Sequence, residues 1–154
     1  MTENTIAPVP APLIAEGGVA TWQDYMAFNK SAVLAALAAG GIARVQVSFD
    51  GQGDGGQIEE IEVIGPGEAE LALPDTQIII YTIPYDLTTT AIADACSLRD
   101  ALEQVTYDAL EHYEGGWENN DGAYGELQFD VEAGEARLQF NARYTSSDYS
   151  EHQL

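Results

Sequence analysis

The sequence predicts an α+β protein, an antiparallel sheet of four to five strands with two helices on one face. Three observations predict it. Residues 43–49 and 127–140 alternate apolar and polar side chains with the period of half-buried strands. Residues 22–37 and 95–109 place apolar side chains at near-helical spacing. Glycine pairs, Gly40–Gly41 and Gly115–Gly116, stand where those helices would stop. With 154 residues, one domain is the default. It is predicted over 21–146, with a flexible Ala/Pro-rich arm at 1–20 and a polar tail at 147–154.

The arm carries Pro8, Pro10 and Pro12 and ends in Gly17–Gly18, a composition that favours extended chain. Thr21 is placed to cap the first helix, with Asp24 at its third position, where a carboxylate suits the dipole. Trp22, Met26, Val33 and Leu37 form its apolar stripe. In the next segment Ala43, Val45, Val47 and Phe49 share one face of a strand, and Arg44, Gln46 and Ser48 share the other. A Gly-rich loop at 50–56 leads to a strand from Ile58 to Ile64, whose alternation slips, predicting a bulge near Glu59–Glu60. Residues 66–76 read as a loop with a short strand at Leu71–Leu73, and Gln77 to Tyr81 as a strand covered on both faces.

A second helix is predicted from Thr89 to Tyr113, with Ala95, Leu98, Leu102, Val105 and Ala109 on its core side and Cys96 on the same apolar face. The final hairpin pairs Val131 with Ala136, which sets Phe129 against Leu138, Leu127 against Phe140 and Asp130 against Arg137.

Charge is the dominant feature. The chain has 26 Asp+Glu against 5 Lys+Arg, a net charge of −21. Eleven acids and no base lie between Asp100 and Glu135, and nine more between Asp50 and Asp86. Like charges repel in the compact state, so the imbalance asks for a reason. A duplex carries one charge per ~1.7 Å, so this charge matches roughly 36 Å of DNA, close to the span of about 35–40 Å expected of the folded chain. Nucleic acid is therefore the least favoured partner. Apolar content of 45% separates the chain from acidic disordered proteins. The lone Cys96 excludes an internal disulfide and fits a reducing compartment. With no signal-peptide pattern and no apolar run near ~18 residues, a soluble cytoplasmic protein is predicted.

On the second helix Asp100, Glu103, Asp108 and Glu111 occupy the face opposite the core stripe, a row with no base at pairing offsets. The row reads either as a solubilising surface or as a docking surface for a basic groove. The loop Asp50-Gly51-Gln52-Gly53-Asp54-Gly55-Gly56 departs from a calcium loop at its third and twelfth positions, Gln52 and Ile61. A looser Ca²⁺ or Mg²⁺ site from Asp50, Asp54 and Glu59 stays open beside a plain turn. Gly115-Gly116-Trp117-Glu118-Asn119-Asn120-Asp121-Gly122-Ala123-Tyr124-Gly125-Glu126 concentrates aromatic, amide and carboxylate groups. It reads as a recognition loop with Trp117 or Tyr124 as anchor and Glu118, Asp121 and Glu126 around it, or as a connection with Trp117 packed in the core beside Tyr113.

These two Gly-rich motifs resemble those of an uncharacterised family of small acidic proteins of proteobacterial plasmids, phages and other mobile elements, over roughly residues 21–150. The resemblance carries no catalytic residues. It implies a setting in which anti-restriction and anti-CRISPR proteins are common.

No P-loop, dinucleotide motif or nucleophile elbow is present, and His112 and His152 read as solvated. The chain is thus expected to be a non-enzymatic, DNA-mimic-like protein without cofactor, bound to the nucleic-acid site of a basic partner protein. The alternatives are a divalent-cation-binding protein using the 50–59 and 115–126 loops, or a soluble accessory protein.

Overall fold

The computed structural model describes residues 20–52, 55–83, 91–117, 122–144 and 149–153. Helix α1 (Trp22–Ala39) begins with the predicted cap: Thr21 and Asp24 exchange side-chain and backbone hydrogen bonds at 2.7 and 3.2 Å. Such a box satisfies two orphan N–H groups at once. Strands β1 (Arg44–Gln52) and β2 (Gly55–Ile64) form a hairpin, and its register slips where Ser48 pairs with Glu60 but Phe49 with Ile58. Glu59 is the extra residue, which puts the bulge where the broken alternation predicts it.

Strand β3 (Gln77–Thr82) pairs with β4 (Ile92–Ser97) in a separate two-stranded sheet, and β4 runs directly into α2 (Leu98–Tyr113). Strands β5 (Ala123–Asp130) and β6 (Glu135–Ala142) complete a four-stranded antiparallel sheet in the order β2-β1-β5-β6. The class is α+β, as the patterning predicts.

Three local expectations are corrected. Residues 92–97 are strand, so the second helix begins nine residues after Thr89, at Leu98, and Cys96 is half-buried on β4. Ala-rich sequence does not choose between helix and strand; pairing with Ile78 and Ile80 of β3 decides it. Ser97 caps the true helix start by accepting from the Asp100 N–H at 3.0 Å. The last hairpin keeps its predicted faces but moves by two residues, so Phe129 opposes Ala136, Leu127 opposes Leu138 and Gln128 opposes Arg137. Its turn is set by the Asp130 carboxylate, which accepts from the Ala133 N–H at 3.1 Å, and by Gly134 at φ 68°. Leu71–Leu73 forms no strand; its segment makes one bridge, Glu70 with Ile64.

Val45, Val47, Leu127 and Phe129 on the inner face of the large sheet pack with Val33 and Leu37 of α1 and with Leu98, Ala101, Leu102 and Val105 of α2. Each Val, Leu or Phe among them contributes about 1.5–3 kcal/mol on burial. The buried stripe of α1 is Tyr25, Asn29, Val33 and Leu37; Trp22 and Met26 lie beside it, half-buried. Asn29 is the polar member. Its amide donates to the Tyr81 carbonyl at 2.9 Å and accepts from the Tyr81 N–H at 2.7 Å, taking the place of a neighbouring strand on β3. Gly125 lets β5 pass under the Phe49 ring: a Cβ there would sit 2.0 Å from the Gln139 carbonyl oxygen.

Candidate functional site

The acidic row of α2 is only partly a row. Asp100 and Glu111 are exposed, as expected. Glu103 has a base at pairing distance, Arg99 one turn earlier, with N and O 3.4 Å apart. The expectation of no intrahelical ion pair overlooked Arg99, which stands just before the base-free block. Asp108 turns inward. Its Oδ1 accepts from Gln104 at 2.8 Å, while its Oδ2 is buried without a hydrogen-bond partner among the described residues. Burial pushes this carboxyl up to about 6, against the pull of the Gln104 hydrogen bond. Asp108 therefore does not stand exposed with Asp100 and Glu111.

What replaces it is a contact between chain segments. The Tyr107 hydroxyl accepts from the Ile58 N–H at 3.1 Å, beside the Glu59 bulge. This bond ties α2 to the free edge strand β2 at one point. Glu59, Glu60 and Glu62 are exposed on that strand, Glu60 and Glu62 on the face they share with Ser48 and Gln46, away from the helices. The two base-free blocks of sequence, one holding Glu59–Glu62 and the other Asp100–Glu111, thus touch at this bond. Glutamates on an unpaired edge also discourage strand addition by another chain.

The other predicted residues gather around the far side of the sheet. Asp50 lies opposite Tyr124, and Ser48 opposite Glu126, so Asp50, Tyr124 and Glu126 share the outer face. Arg143 holds both Asp50 oxygens, at 2.8 and 2.9 Å, and its guanidinium carbon stands 4.7 Å from the Tyr124 ring centroid. That pairing keeps the Asp50 carboxyl below its usual range. It also sets a fixed positive charge against both Asp50 oxygens, which disfavours a second cation there. Glu59 instead accepts from Gln57 at 3.1 Å, and no cluster of three metal-ligating side chains occurs among the described residues. Asp54, Glu118 and Asp121 lie outside those residues, as do most of the 1–20 arm and part of the 147–154 tail.

Trp117 is not an exposed anchor. It is buried edge-on against Phe49, with ring centroids 5.3 Å apart, so the core reading holds with Phe49 in place of Tyr113. Tyr124, at 46% exposure, remains an accessible aromatic. His112 is not simply solvated: its ring stacks on Trp22 at 3.7 Å, with Tyr113 edge-on to both. The Cys96 thiol is pushed up by burial and by the nearby Asp100 and Asp94 carboxylates, which keeps it an unreactive thiol.

Sequence reasoning missed Tyr107 as a tie and Arg99 as a partner. The signal for Arg99 was its (i, i+4) offset from Glu103. Tyr107 offered none, because a contact to a strand 49 residues away has no local pattern.

Among the described residues, no helix is long and apolar enough to cross a membrane. Residues 25–154 match a protein family described as a family of unknown function (DUF6878). No curated protein and no solved structure matches the chain.

Proposed function

We propose that this chain, which belongs to that family of unknown function, is a non-enzymatic acidic protein that docks on the nucleic-acid-binding site of a basic partner protein. The observation that carries the reading is the hydrogen bond between Tyr107 and Ile58, which ties two base-free acidic segments, α2 and the edge strand β2, to each other. Carboxylates concentrated on rigid elements, rather than scattered, attract a cationic groove at long range and raise the association rate. Three of the five bases already hold a carboxylate, Arg44 to Glu68, Arg99 to Glu103 and Arg143 to Asp50; Arg99 lies on this surface and Arg44 borders it near Glu62.

The resemblance to small acidic proteins of plasmids and phages supports a host-defence effector as the partner, and hence anti-restriction or anti-CRISPR inhibition in the cytoplasm as the role. The test is affinity capture from a bacterial lysate at low salt, followed by a salt gradient. The expected result is a basic nucleic-acid-binding protein that elutes as salt rises and is displaced by duplex DNA. Retardation of bare DNA or RNA by the purified chain at physiological salt would overturn the proposal.

A further inference from the structure

Five bases serve a chain with 26 carboxylates. Three hold a carboxylate partner; Lys30 and Arg137 hold none among the described residues. Both unpaired cations border the same groove, a volume of about 470 Å³ between α1, α2 and the β5–β6 hairpin. Its size lies within the range of small-molecule sites, roughly 300–1,000 Å³.

The walls have a polarity along their length. Trp22, Met26 and Lys30 line it from α1, and Val105, Ala109 and Tyr113 from α2. Each set follows one helical stripe at four-residue spacing, so each wall runs about 12 Å. Trp22 meets Tyr113 with ring centroids 5.6 Å apart, so the aromatic groups close one end and Lys30 stands at the other. Leu127 and Leu138 supply apolar surface between them. Arg137, on the edge strand β6, also borders a shallow hollow with Asp130 and Glu135, so Lys30 is the dedicated cation and Arg137 the second.

We infer that this groove binds a small apolar monocarboxylate, its tail between the helices against Met26 and Val105 and its carboxylate at Lys30. The choice follows from charge. A polyanionic macromolecule would be repelled by the net charge of −21. A single carboxylate meets Lys30 at contact, while charges beyond about 8 Å are screened at 0.15 M ionic strength. A cationic amphipath would leave Lys30 and Arg137 facing like charge.

The experiment is titration of the full chain with octanoate and, in parallel, with octan-1-ol, followed by amide and indole NMR shifts. Octanoate is expected to bind at one site with Kd below about 1 mM, a modest energy per atom for so small a ligand. Its shifts should concentrate at Trp22, Met26 and Lys30, and its affinity should exceed that of octan-1-ol at least tenfold. Lys30→Gln should remove that preference while leaving octan-1-ol binding unchanged. Equal affinities for acid and alcohol, shifts centred outside the groove, no saturable binding, or a preference that survives Lys30→Gln would each overturn the inference. The acid–alcohol comparison needs no variant, so it stands even if the substitution disturbs folding.

Discussion

The two edges of the four-stranded sheet carry the same kind of strand and different charge arrangements, acids alone on β2 and mixed signs beside β6, where Asp130 and Glu135 border Arg137. At the β2 edge, Glu59, Glu60 and Glu62 are exposed on a strand tied to α2 through Tyr107, with Arg44 near Glu62 and Arg99 on α2. At the β6 edge stand Arg137 and Arg143, with Lys30 across the groove, and Arg143 is locked to Asp50. A surface that only maintains solubility has no need to sort its charges this way, since mixed signs would hold the strands at less repulsion. The proposed acidic docking surface at β2 and α2 and the proposed ligand groove at β6 and α1 both rest on this difference.

The largest expected effect concerns the geometry that keeps both edges in one sheet. Gly125→Ala places a methyl group 2.0 Å from the Gln139 carbonyl oxygen and 3.0 Å from the Phe49 ring, joining β5 to both neighbours at once. Backbone must move, and overpacking of that kind costs about 3 kcal/mol. Urea unfolding would measure it. A loss under about 1 kcal/mol, smaller than a typical overpacked core site, would show that the strands adjust freely.

Next in size is Asp108, the one member of the α2 row that turns inward. Its carboxyl is raised to about 6 by burial, so between roughly pH 4 and pH 6 the folded state holds a proton that the unfolded state has released. Stability from this group is thus full below pH 4, falls as pH rises to 6, and stays reduced above. Asp108→Asn should raise stability at pH 7 by about 2 kcal/mol, allowing for partial exposure, or roughly 4–8 °C in Tm. The gain should vanish near pH 4. Thermal melts of both proteins at pH 4 and pH 7 decide it, and a gain equal at both values would remove the buried-carboxylate account.

A smaller effect tests the seam. Tyr107→Phe removes one hydrogen bond to Ile58 and should cost about 1 kcal/mol. Amide exchange should accelerate at Ile58 and along β2 while β5–β6 keeps its protection. Uniform acceleration would mean that Tyr107 does not tie this edge in particular.

The sequence made legible whatever local chemistry decides. Thr21 with Asp24 announced α1, the faces of 45–49 followed the alternation, and the slip after Ile58 located the bulge. The rest depended on distant contacts. Strand 92–97 exists because β3 offers Ile78 and Ile80 as partners, and Asn29 is buried because Tyr81 needs an edge partner. Of the proposed site, Asp100 and Glu111 were legible as exposed acids, and Tyr124 as an accessible aromatic. That Asp108 and Trp117 face inward was not, because both orientations are set by tertiary packing, for Trp117 against Phe49, Leu110 and Ala123.

The most direct measurement compares equal charge changes at the two edges, using the partner captured from lysate. One variant carries Glu62→Lys and Glu111→Lys; the other carries Glu132→Lys and Glu135→Lys. Both alter net charge by the same amount, so any difference in affinity reports location. The β2–α2 variant should lose about a hundredfold in affinity at low salt, and the β6-side variant less than tenfold. Equal losses in the two variants would contradict the sorted-edge account and leave total charge as the only determinant.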